Sequence, residues 1–194
     1  MAIPIGLIGG AVSQVYLSRA PEEYRAGRLA PFTLKAIAGL MRTGVGPLLF
    51  AGIVSPVAFP VVFGTDWQRA GEMVAWMTPW FILQFVSSPV SMSLHVTNNQ
   101  RTALQLQLFG LVLRVGGTWL ATLFAAEYVF EIYAVTGFIF YAVYLMVVAH
   151  ITKIKTLDLL STALTRPQVS IAWAVIGISV AGMMPFISKV IQSS

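Results

Sequence analysis

The sequence predicts an all-α fold, a polytopic bundle of membrane-spanning helices with five to six spans. Three observations carry this. Of 194 residues, 57% are apolar and only 10% are charged, against about 25% in a soluble domain. The mean hydropathy is +0.81. The charged residues cluster and leave uncharged intervals at 43–65, 73–100, 132–152 and 167–188, and 102–126 is interrupted by Arg114 alone. A helix crosses about 30 Å of hydrocarbon with roughly 20 mostly apolar residues, so each interval is long enough. Disorder and an ordinary soluble domain are excluded on composition.

The first interval, 1–18, contains Pro4, Gly6, Gly9 and Gly10, and no basic residue precedes its apolar part. It is therefore not read as a signal peptide but as a partial transmembrane helix. Residues 19–42 form a basic amphipathic segment on the cytoplasmic side. Pro21 followed by Glu22 and Glu23 reads as the first turn of a helix, where proline loses no needed donor and carboxylates meet the positive dipole end. Pro31 starts the next helix in the same way. Arg28, Lys35 and Arg42 recur every seven residues. With Phe32, Ile37 and Leu40 they fit a helix lying in the interface before it turns into the membrane; a plain solvated connector fits as well.

The remaining chain, 43–194, is read as a bundle with spans at about 44–65, 73–94, 102–126, 132–152 and 167–188. Basic residues fix its orientation. Segments 19–42, 95–101 and 153–166 hold nine Lys and Arg, whereas 66–72, 127–131 and the tail hold two, Arg69 and Lys189. The richer set belongs in the cytoplasm, which puts Asp66, Trp67, Glu127 and Glu131 outside, along with the C-terminus. Trp67, Trp76, Trp80, Tyr128 and Tyr133 fall near span ends, as interfacial anchors do. Pro47, Pro56, Pro60, Pro79, Pro89 and Pro185 mark kinks or span ends.

Cysteine is absent, which excludes disulfides, thiolate metal sites and cysteine nucleophiles. The net charge of +5 reflects membrane orientation and does not call for nucleic acid. His95 and His150 have no second ligand at metal spacing, so no metal or cofactor is expected.

Polar residues inside spans are costly, so their placement is informative. Gln84, Ser87, Ser88, Ser91, His95 and Asn98 fall within an arc of about 100° on one helix, with Pro89 opposite. Gln107, Gly110, Arg114, Gly117, Thr118 and Ala121 do the same on the next. A charged Arg near mid-span costs on the order of 2.5–3.5 kcal/mol on insertion scales, so Arg114 should face protein or a wet cavity. There it could hold a phosphate or carboxylate bidentately, or pair with Glu127 or Glu131. Gly110 and Gly117 would admit a head group or another helix close to the backbone. Ordinary helix contacts also account for such stripes, above all for the serines, although a helix contact alone does not require the cation at Arg114. Tyr133, Tyr141 and Tyr144 with Gly137, and Gly177 with Ala181, read as packing faces.

Certain short runs carry a family resemblance. Ser13-Gln14-Val15-Tyr16 precedes the basic segment, and Phe63-Gly64-Thr65-Asp66-Trp67 with Ala70-Gly71 follows it. Pro79-Trp80 then leads to Ser87-Ser88-Pro89. In this order and spacing, over residues 5–125, the chain resembles the second half of bacterial polysaccharide (O-antigen type) flippases in the multidrug/oligosaccharidyl-lipid/polysaccharide exporter superfamily. The resemblance implies one lobe of a two-lobe exporter in the bacterial inner membrane. Each lobe has six helices, and the pair opens alternately to either side to move polyprenyl-pyrophosphate-linked oligosaccharide outward. It implies partners in membrane lipids and in an N-terminal lobe or second copy. The span at 167–188 exceeds the family's usual twelve helices. Transport without covalent chemistry is the expected activity, with Arg114, Gln107, Gln84 and Ser91 lining an inner cavity, Thr118 on the Arg114 stripe, and Arg101 and His95 near its mouth. A cation-coupled multidrug exporter half would need carboxylates within its spans. A membrane-embedded glycan transferase or ligase would need a base or carboxylate pair, for which Asp66, Glu72, Glu127 and Glu131 are available. An inert assembly subunit, with stripes that bind a partner lobe, is a further alternative.

Overall fold

A computed structural model describes residues 2–164 and 167–192, with side chains over 9–159, 161–162 and 170–184. Arg166 and the side chains of Pro4, Pro185 and Lys189 lie outside the described residues. The described chain is helical, without a β-strand. Its helices are α1 (Ala2–Arg25), α2 (Leu29–Phe63), α3 (Gln68–Val90), α4 (Ser93–Val96), α5 (Gln100–Phe124), α6 (Val129–Ile151), α7 (Thr156–Leu164) and α8 (Pro167–Gln192). Single 3-10 turns at Thr65–Trp67 and Ala126–Tyr128 join α2 to α3 and α5 to α6. The stretches Leu29–Phe63, Gln100–Phe124 and Ala126–Ile151 are long and apolar enough to cross a membrane, which makes this a membrane protein.

Helices α8, α2, α3, α6 and α5 stand side by side in that order, and α1 packs across α2 and α3. Without a hydrophobic drive between helices in lipid, close approach depends on small residues, and glycines mark nearly every seam. Gly52 lies under the Thr78 side chain and Gly71 against the Ser55 backbone, where Ser55 Oγ donates to the Gly71 carbonyl at 2.9 Å. Gly137 sits against the Trp80 indole, Gly110 against the Phe140 ring and Gly117 against Thr136. Gly46 meets the Trp173 ring, and Gly177 faces Phe50 and Ile53. The packing reading thus holds for Gly110, Gly117, Gly137 and Gly177.

Connections gather at two ends. At one, the Tyr16 and Thr33 hydroxyls share a hydrogen bond of 2.7 Å, and Leu29, Ile37, Leu94, Val148 and Ile154 close a buried core around them. Five basic residues, Arg19, Arg25, Arg28, Arg101 and Lys153, are exposed in the segments that meet there. At the other end Arg69 bonds to the Glu127 carbonyl at 3.5 Å, bringing the two 3-10 turns together.

Three local expectations are corrected. Pro21 lies inside α1, which ends at Arg25 and turns at Gly27 (φ +71°); it does not open a new helix. Pro31 does fall in the first turn of α2. That helix then runs unbroken for 35 residues, about 52 Å, so residues 29–42 are continuous with the span rather than a separate helix lying in the interface. Finally, α3 stops at Val90. His95 and Asn98 therefore belong to a separate turn of helix and its exit, and the first polar stripe is cut short. Asn98 takes a left-handed conformation there (φ 59°).

Candidate functional site: an aromatic-backed cation in a membrane groove

The seam between α5 and α6 opens into a groove of about 630 Å3 lined by Gln107, Gly110, Leu111, Arg114, Val115, Thr118, Trp119, Thr122, Tyr133 and Phe140. Gln107, Arg114, Thr118 and Thr122 return to one face of α5 at helical spacing. Their stripe covers roughly 22 Å of helix length at 1.5 Å per residue. Gly110 and Gly117 allow α6 to approach that face, and Phe140 enters the space over Gly110.

Arg114 is half-buried and backed by three rings. Its guanidinium carbon is 4.7 Å from the Phe140 centroid, 5.4 Å from Tyr141 and 5.5 Å from Trp80. Each such contact contributes about 0.5–2 kcal/mol, depending on how dry it is. Trp80 is held by Gly137 beneath it and by an edge contact with Tyr133, 5.1 Å between centroids. The rings attract the charge but accept no ordinary N–H hydrogen bond. Nε and Nη2 of Arg114 are accordingly buried without a hydrogen-bond partner. Buried donors are nearly always paired, so an acceptor is what this guanidinium lacks. Neither Glu127 nor Glu131 supplies it: Glu131 bonds Arg69 instead, and Glu127 is exposed in the turn before α6.

No family model, no curated protein and no solved structure matches this chain.

The remaining expected site residues do not converge on Arg114. Gln84 lines a second groove of about 580 Å3 between α1, α2 and α3, with Ser13, Thr78, Ser88 and the rings of Phe81 and Phe85. Pro89 lines that groove too, so it is not opposite the stripe as the helical wheel suggests. Ser87 is fully buried and donates to the Leu83 carbonyl at 2.7 Å, while Ser91 donates to the Ser88 carbonyl at 2.7 Å. Each hydroxyl is satisfied by a backbone carbonyl three or four residues before it. His95 and Arg101 are exposed near the basic end and line neither groove. One shared chamber is thus replaced by two grooves, of which only the α5–α6 groove contains a cation.

Sequence reasoning missed the backing rings. Trp80 reads as an interfacial anchor but is 7% exposed and packed in the interior. Trp67, Trp76 and Tyr128 are exposed as anchors should be. Tyr133, Tyr141 and Tyr144 on α6 read as a packing face, and Phe140 carries no signal of its own; nothing in one helix indicates which residue of another it surrounds.

At the opposite end from the basic core, Arg69 bridges α3 and α6. It pairs with Glu131 and with Glu72, the latter at 3.2 Å. These partners, Glu131 first, hold the Arg69 pKa above its ordinary value. Glu131 keeps its second oxygen, Oε2, buried and unbonded. Among the described residues no group of His, Asp and Glu is arranged to hold a metal ion.

Proposed function

We propose that this chain moves a polyprenyl-pyrophosphate-linked oligosaccharide across the bacterial inner membrane for surface polysaccharide synthesis, as a half of a two-lobe flippase. The observation that carries the reading is Arg114: a guanidinium near mid-helix, lining an open groove, with Nε and Nη2 unpartnered. A pyrophosphate offers the paired oxygens that a guanidinium fork binds best. Holding it at depth offsets the cost of the buried cation. Gln107, Thr118 and Thr122 along the same wall can hydrogen-bond the sugar-phosphate region as it passes. Alternating exposure of the groove to the two sides, with an N-terminal lobe or a second copy as the other half of the transporter, completes the transport cycle. No covalent chemistry is required, so the protein acts as a transporter and not an enzyme.

The multidrug-exporter alternative needs carboxylates within its spans, and the most buried candidate, Glu131, is engaged by Arg69 near the start of α6, which favours the flippase reading; the glycan-transferase alternative needs a base or carboxylate pair near the interface. In cells whose surface polysaccharide depends on this chain, Arg114→Ala abolishes the polymer while leaving the membrane level of the protein unchanged. Normal polymer output from that variant removes the assignment.

A further inference from the structure

The α5–α6 groove has an unusual position: it faces sideways. Helix α5 is the end member of the row, and α6 is the one long helix it packs along. The outer lip of the groove is apolar and turned away from the protein, with Leu111 58%, Val115 59% and Trp119 63% exposed. Arg114 is the fifteenth residue of a 25-residue helix, roughly 21 Å from its start at 1.5 Å per residue. A polar wall, a cation short of acceptors and an apolar lip therefore lie together at bilayer depth.

We propose that this groove is a lateral binding site for a phosphate-bearing anionic membrane lipid, whose head group enters from the bilayer while its chains stay in the hydrocarbon along Leu111 and Val115. The lipid phosphate meets the Arg114 guanidinium where it lines the groove, while the rings of Trp80, Phe140 and Tyr141 pack against the cation. Charge complementarity selects the occupant. A neutral apolar helix laid in the groove would leave the cation without a counter-charge, and a zwitterionic lipid brings its own cation beside Arg114. The proposal goes beyond transport of one oligosaccharide carrier, since any anionic phosphate lipid satisfies the same atoms.

The test is native mass spectrometry of the purified full chain, delipidated and offered equal amounts of phosphatidylglycerol and phosphatidylcholine. Wild type retains phosphatidylglycerol about tenfold over phosphatidylcholine, the ratio that one added charge-assisted contact of about 1.4 kcal/mol gives. Arg114→Gln brings the ratio close to one. Arg101→Gln, at an exposed basic position near the start of α5, leaves it unchanged. Arg114→Lys keeps a partial preference, and an unchanged thermal unfolding midpoint for Arg114→Gln confirms that the fold persists. The proposal is overturned if Arg114→Gln retains the wild-type ratio or if Arg101→Gln loses it equally. It also fails if millimolar inorganic phosphate displaces the lipid, or if the protein appears only as a lipid-free dimer. Lost lipid preference with normal polymer output leaves the groove site standing and removes the transport reading; the reverse result removes the groove alone.

Discussion

Arg69, one residue into α3, forms an ion pair with Glu131, two residues into α6, and so ties two helices that adjoin in space but are separated in sequence by α4 and α5. Arg69 is half-exposed and Glu131 largely covered, at 46% and 14% side-chain exposure. Glu131→Gln is expected to lower the unfolding temperature in detergent modestly, with the difference from wild type shrinking as salt screens the exposed partner. Arg69→Lys restores little, because a single ammonium cannot reproduce a fork shared between Glu72 and Glu131. Since the Arg69 pKa is raised, its contribution is fully present at every pH below the ordinary arginine value and is lost only above it. Thermal scans from neutral to pH 10 should therefore show no alkaline loss from this pair.

A second prediction concerns two adjacent glycines. At Gly117 a new Cβ would stand 2.8 Å from Thr136 Cγ2, whereas at Gly116 it would meet nothing within 4 Å. Gly117→Ala should therefore destabilise by about 1–3 kcal/mol through overpacking of the α5–α6 seam. Gly116→Ala should be neutral or gain up to about 1 kcal/mol from helix propensity. Urea or thermal unfolding of the two variants side by side checks this.

Arg114 should be a residue that the fold does not need. Its two unmade hydrogen bonds cost about 1–3 kcal/mol each, which offsets the ring contacts of about 0.5–2 kcal/mol each. Arg114→Leu regains apolar packing against Phe140 and should leave the unfolding temperature unchanged or raise it. A clear fall, of several degrees, would mark the side chain as a structural staple.

The protein has no cysteine, so single cysteines report sidedness directly. In sealed vesicles, a membrane-impermeant maleimide should label Asp66→Cys and Glu127→Cys from one side. Arg101→Cys and Lys155→Cys should react only from the other. All four positions are exposed. Labelling of all four from a single side would contradict the alternation of ends.

The spans were legible in the sequence because hydrocarbon thickness sets a length that an uncharged interval either meets or does not. Three of the five predicted intervals fall on stretches long and apolar enough to cross a membrane, in α2, α5 and α6, and the other two fall on α3 and α8. Pro21 was misread because proline followed by two glutamates fits a helix start, while Ala20, fully buried against the core, keeps α1 going through it. The polar stripe on α3 was drawn too long because Ser91 and Met92 carry no strong helix-breaking signal, yet the helix stops there. Arg114 was found because a cation within an apolar interval stands out. Its surroundings were not, since Trp80, Phe140 and Tyr141 come from two other helices and meet it only through the order in which the helices pack.

That packing order has a mechanical corollary. Because α5 leans chiefly on α6, it resembles a door hung from a single post. A small swing about that post would widen or shut the slot holding Arg114 without parting the α2–α3 seam that Gly52, Gly71 and Ser55 knit.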